Sequence, residues 1–195
     1  MQIIKHRINT VSDLMDLDTQ YGAELDLRSD GQDIIIHHDP FAKGALFKEW
    51  LSHYHHGTLI LNVKEEGLET SVLALLKHYK IEDFFFLDQS FPFLLKTAKT
   101  KESRCAVRWS EYESFDTVLA VGTLIDWVWV DCFSTFPIKE SHVKPLQKLG
   151  IKSCLVSPEL QGRWDIAEVE TARTYFEEIG YFPDAVCTKR PELWK

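Results

Sequence analysis

Short apolar runs alternate with longer amphipathic ones along the whole chain. Eight of the short runs read as strands, being rich in β-branched, aromatic and aliphatic residues: Gln2 to His6, Ala23 to Leu27, Leu59 to Lys64, Phe84 to Leu87, Cys105 to Arg108, Trp127 to Asp131, Ser153 to Val156 and Ala185 to Thr188. Helical patterns fill most of the intervals. Thr10 to Asp18 opens on a Thr-x-x-Asp cap and spaces Val11, Leu14, Met15 and Leu17 along one face. Leu68 to Tyr79 repeats Val72, Leu73, Leu75 and Leu76. Asp165 to Ile179 carries Ile166, Val169, Ala172, Tyr175 and Phe176, with Gly180 as its stop. About eight strand-plus-helix units predict an α/β fold, a compact TIM (β/α)8 barrel, small beside the ~250 residues usual for that architecture. With no linker, repeat or low-complexity segment, residues 1–195 read as one domain. The competing layout, an open doubly wound sheet, lacks the G-x-G-x-x-G turn of a dinucleotide site.

The second strand continues into Asp30-Gly31 and the apolar run Ile34 to Ile36, which predicts a β-hairpin extension after that strand. Glu24 and Asp26 are one residue apart and share a face. The hairpin returns two histidines, His37 and His38, to about their height. A two-residue Asp30-Gly31 turn pairs Glu24 with His37 and puts that side chain on the carboxylate face; His38 reaches it through a bulge or twist. Chemistry in such a barrel collects at the C-terminal strand ends. Those ends carry His6-Arg7, Glu24 with Asp26, Asn62 with Lys64, Asp88, Arg108 with Glu111, Asp131, Glu159 and Lys189.

Composition narrows the function. A net charge of -8 argues against a nucleic-acid partner. No run approaches the ~18 apolar residues of a membrane span, and no leader pattern opens the chain, so no membrane insertion and a cytoplasmic setting are expected. Cys105, Cys132, Cys154 and Cys187 are widely spaced and read as buried free thiols. His53, His55 and His56 imitate a zinc cluster, but stand before Gly57 at a helix end, where histidine suits the dipole. Trp127, Trp129 and Asp131 alternate, which fits either a wall facing substrate or packing against outer helices. Phe84-Phe85-Phe86 reads as buried strand.

The succession His6-Arg7, Gly22-Ala23-Glu24-Leu25-Asp26, Asp30-Gly31 and His38-Asp39 resembles the glycerophosphodiester phosphodiesterase family, within the phosphatidylinositol-phospholipase-C-like barrels. Leu61-Asn62-Val63-Lys64, Gln89-Ser90-Phe91 and Thr188-Lys189-Arg190-Pro191 resemble that family's Glu-x-Lys strand, Gln-Ser-Phe and closing Thr-Asp-x-Pro in the same order. The resemblance implies hydrolysis of a small phosphodiester with His6 and His38 as the acid/base pair. Arg7, Lys64 and Glu159 would bind substrate. Glu24, Asp26 and Asn62 would hold one divalent cation, Mg2+ or Ca2+. Asn62 stands where the family has a carboxylate, and the usual insertion after His-Asp is missing, with a helix expected from Leu46. Two alternatives accompany this reading: an inactive barrel that binds phosphate ligands or acts as a scaffold, and a lyase that closes a cyclic phosphate.

Overall fold

In a computed structural model describing residues 1–195, each predicted strand is present. The order is β1 (Gln2–Lys5), α1 (Val11–Met15), β2 (Gly22–Asp30), β3 (Asp33–Ile36), β4 (Ala45–Leu46), α2 (Phe47–Leu51), β5 (Leu59–Val63), α3 (Glu69–Tyr79), β6 (Phe84–Leu87), α4 (Phe91–Lys99), β7 (Ala106–Trp109), α5 (Phe115–Val121), β8 (Trp127–Val130), α6 (Glu140–Leu149), β9 (Lys152–Val156), α7 (Ile166–Glu178) and β10 (Ala185–Thr188). Helices α1, α5 and α7 start where short polar side chains satisfy free N–H groups. Thr10 Oγ1 accepts from Asp13 N at 3.0 Å, and Asp165 Oδ1 from Ala167 N at 3.0 Å.

Eight parallel strands curl around one axis. One path runs β2-β1-β10-β9-β8-β7, and β5 continues it on the other side of β2, with β6 beyond. β6 and β7 meet only at a bridge between Phe86 and Cys105, so the TIM-like sheet stays open along most of that edge. Two apolar layers follow from the strand period of two. Leu25, Leu61, Phe86, Val128 and Val186 face outward into a 38-residue cluster shared with the helices. Ile4, Ile60, Phe85, Trp127, Trp129, Cys154 and Cys187 belong to a separate 11-residue cluster that fills the interior. Trp127 and Trp129 thus pack inside the sheet's curl rather than against the helices, Trp127 stacking on Phe85 with ring centroids 4.5 Å apart.

β3 runs back antiparallel along the end of β2, with Leu27 opposite Ile36 and Asp30 opposite Asp33. The loop is Gly31-Gln32, one residue later than expected. Gly31 takes φ +63° as its first residue while Asp30 stays extended in the strand, so the sharp reversal falls where no Cβ obstructs it. The shift places His37, where the expected turn would put Ile35, beside Asp26: His37 N donates to Asp26 O at 3.0 Å. Gly22 is required by crowding, since a Cβ there would lie 2.3 Å from the Thr58 carbonyl oxygen. The four cysteines are free and buried. No helix is long and apolar enough to cross a membrane.

Candidate functional site

Register carries the polar strand ends to one mouth. Glu24 lies beside Ile60, and Asp26 beside Asn62, so both acids share the interior face with the inner apolar cluster beneath them. His6 follows β1 where Lys5 pairs with Thr188, which sets His6 next to Lys189 across the β1–β10 seam. Glu24, Asp26 and Asn62 are buried, and His6 is largely covered.

The buried acids are held from several sides. Glu24 Oε2 accepts from Arg7 N at 2.8 Å, and its Oε1 from Asn62 Nδ2 at 3.0 Å. His6 Nε2 lies 3.8 Å from Glu24 Oε2. Asn9 grips Asp26 twice, Nδ2 to Oδ2 at 2.8 Å and Oδ1 from the Asp26 N–H at 3.1 Å. Lys64 Nζ is 3.2 Å from Asp26 Oδ1 and Arg7 Nε 3.8 Å from Asp26 Oδ2. From Lys64 an alternating chain of charge crosses the mouth. Lys64 Nζ reaches Asp88 Oδ2 at 3.5 Å, Arg108 Nη2 reaches Asp88 Oδ1 at 2.6 Å, and Arg108 also binds Asp131. Gln161 Nε2 closes the row on Asp131 Oδ1 at 2.7 Å. Asp88 has φ +62°, which swings its carboxylate away from the outward position that alternation along β6 would give it.

Burial and charge tune these groups. Burial, then the neighbouring Asp26 carboxylate, pushes Glu24 up to about 7. Burial, helped by Arg7 and Lys189, lowers His6 to about 4, so its imidazole is neutral at neutral pH. Burial also raises Asp131 to about 6, against the pull of Arg108.

The residues expected to act together do so in part. His6, Arg7, Glu24, Asp26, Asn62 and Lys64 form one contact group. His37 and His38 turn instead to Asp39: His37 Nδ1 accepts the Asp39 N–H at 3.0 Å, and His38 Nδ1 lies 2.8 Å from Asp39 Oδ1. Neither ring hydrogen-bonds to His6 or the buried acids. Their loop still borders the mouth. Hydrogen bonding to His38 lowers the Asp39 carboxyl, and the charge of Arg7 adds to that effect. Glu159 has both oxygens engaged by the fold: Thr188 Oγ1 and Lys189 N (3.1 Å) on Oε1, and Ser157 Oγ on Oε2. It braces the β9 and β10 ends and leaves no oxygen free for a ligand. Asn9 and Gln161 join the site without having been singled out, whereas Asp88 and Arg108 are among the polar strand ends named from the sequence. For Asn9 the only signal was a polar residue just beyond a strand end.

Glu24, Asp26 and Asn62 are the residues here whose oxygens could hold a hard cation. Asn62 Oδ1 is a buried oxygen without a hydrogen-bond donor, Asp26 Oδ1 is met only by the Lys64 ammonium at 3.2 Å, and burial, then the Asp26 charge, raises the proton affinity of Glu24. Two carboxylates and an amide bring at most two negative charges, and no group of three His, Cys, Asp or Glu side chains is placed to hold a metal ion.

The architecture has close counterparts. A glycerophosphodiester phosphodiesterase from Agrobacterium tumefaciens superposes with a TM-score of 0.68 at 14% identity, covering 100% of this chain and 98% of its own. A structure assigned by name to the same enzymes, from Galdieria sulphuraria, gives 0.72 at 15% identity, covering 99% and 96%. The fold is that of the glycerophosphodiester phosphodiesterases. No family model and no curated sequence matches the chain. The likeness to these phosphodiesterases therefore lies in the path of the backbone and not in extended sequence identity.

Proposed function

We propose that the protein is a phosphodiesterase whose site holds one divalent cation through Glu24, Asp26 and Asn62. The observation that carries this reading is the buried Glu24–Asp26–Asn62 contact group, flanked by a neutral imidazole on one side and by Arg7 and Lys64 on the other. When bound, Mg2+ or Ca2+ would polarise the phosphoryl oxygens. Arg7 and Lys64 bind the non-bridging oxygens, Arg7 through its planar fork and Lys64 as a point charge. Neutral His6 accepts the proton of the attacking oxygen at Nε2, the nitrogen that faces Glu24. His38, its Nδ1–H held by Asp39, would act as the imidazolium, giving its Nε2 proton to the leaving alkoxide.

Purified protein with Mg2+ or Ca2+ should hydrolyse a generic phosphodiester, and EDTA should stop it. His6→Ala should lower the rate by about 10²- to 10⁴-fold. At saturating cation the acid limb of kcat/KM should follow His6 and fall off nearer pH 4 than the ordinary 6.5. Full activity in EDTA would overturn the cation, and an unchanged His6→Ala the assignment of the base. Phosphorus NMR of the product separates hydrolysis from closure of a cyclic phosphate.

One observation favours a second reading, a barrel that binds phosphate ligands without turning them over. The Lys64 ammonium already stands 3.2 Å from Asp26 and offsets part of the charge a cation would meet. Calorimetry showing phosphate binding, but no cation binding dependent on Glu24 and Asp26, would select it.

A further inference from the structure

Five exposed aromatic rings stand in the segments that follow strands at the mouth. They are Phe41 after β3, Phe91 after β6, Tyr112 after β7, Phe133 after β8 and Trp164 after β9. The one other aromatic as exposed, Phe182, precedes β10 on the opposite edge. This distribution is not that of scattered surface residues, which need no explanation. The rings are also held outward. Phe41 is wholly exposed and sits at φ +61°, a conformation that costs a bulky residue about 1–3 kcal/mol. Glu111 fixes the loop bearing Phe133 by accepting the N–H groups of Ser134 at 2.7 Å and Thr135 at 2.6 Å. Phe133 thereby stands against Tyr112, ring centroids 5.9 Å apart.

A covering surface must satisfy three conditions. It must offer apolar depth at several points spread around a ring. It must present a phosphodiester to the centre of that ring, because the candidate site opens there. It must not rely on electrostatic attraction to anions, since the chain carries a net charge of -8. A zwitterionic lipid surface meets all three: aromatic side chains favour the headgroup layer, and each headgroup carries a phosphodiester. We propose that the aromatic rim seats the barrel mouth on a neutral lipid–water interface, so that the site takes a phosphodiester headgroup borne by a lipid. The substrate in this proposal rests on the phosphodiesterase reading above; the docking surface does not.

Trp164 supplies the probe. Trp50, Trp109, Trp127, Trp129 and Trp194 are buried, so a change in emission on docking reports Trp164. Titration with unilamellar phosphatidylcholine vesicles should shift the emission to the blue, and the protein should float with the vesicles. Trp164→Phe should lose the shift and keep the flotation. The double variant Tyr112→Ser, Phe133→Ser should weaken partitioning about tenfold or more while leaving turnover of a soluble diester unchanged. No flotation at any lipid concentration, or flotation undiminished by the double variant, would overturn the proposal. So would a blue shift that follows protein concentration without lipid alongside a dimer in light scattering, because the rim would then cover a second copy. Lost docking with intact hydrolysis removes this inference alone; lost hydrolysis with intact docking removes only the catalytic reading.

Discussion

Asn62 decides how tightly a cation can sit between Glu24 and Asp26. It gives Glu24 an N–H at 3.0 Å and leaves a buried oxygen without a donor. Asn62→Glu adds a third negative charge, and calorimetry should show Ca2+ or Mg2+ binding strengthened by about tenfold or more. In the native protein, binding must displace the proton that burial favours on Glu24. Proton release, read from the dependence of heat on buffer ionisation, should be large below about pH 7 and vanish near pH 9. Lys189 is the exposed cation beside His6, and no acid lies within ion-pair reach of it. Lys189→Ala should raise KM for an anionic substrate several-fold with little change in kcat, the signature of lost uniform binding.

At the scale of elements, crowding and alternation set the geometry that the residues exploit. Gly22→Ala drives a methyl into the Thr58 carbonyl and the Ile4 side chain, 2.3 and 2.9 Å away. It should cost about 1–3 kcal/mol, visible as a lowered Tm, and loosen the start of β2, which positions Glu24. The eight parallel strands were legible because each is a dense apolar run between turn residues, a pattern a helix does not share. The shared face of Glu24 and Asp26 was legible for the same reason. The hairpin loop was misplaced by one residue because Asp-Gly satisfies a type I′ turn on paper, whereas here Asp30 stays in β2 and only Gly31 of the loop takes a positive φ. The chain Lys64–Asp88–Arg108–Asp131 was out of reach of spacing arguments. Its members were visible as strand ends, but their contacts depend on the left-handed Asp88 and on strands far apart in sequence. Glu159 looked like any other strand-end acid, since nothing local shows that Ser157, Thr188 and Lys189 use up its oxygens.

Across the whole molecule, the buried site groups make stability depend on pH in a definite sense. Glu24 and Asp131 have folded values raised to about 7 and about 6, above their ordinary 4.5 and 3.8. Each stabilises the fold in its protonated form, and that contribution is lost as pH rises through the raised value. His6, lowered from 6.5 to about 4, acts in the opposite sense: its contribution is present above 6.5 and lost as pH falls toward 4. Two groups therefore oppose one, and in EDTA the Tm should decline between about pH 4.5 and pH 7. Millimolar Ca2+ should flatten or reverse that decline by taking the place of the proton on Glu24.

The single bridge between Phe86 and Cys105 has a consequence for how the chain can be divided. A cavity of about 390 Å³, lined by Leu94, Val107 and Thr117, overlies the same junction, so helix packing reinforces it little. Cleavage of the backbone between α4 and β7 would separate two pieces that each keep four neighbouring parallel strands, joined mainly through β10 and β1. Co-expressed as separate polypeptides, residues 1–101 and 102–195 should reassemble, and a circular permutant opened at that point should fold where one opened between β8 and β9 does not.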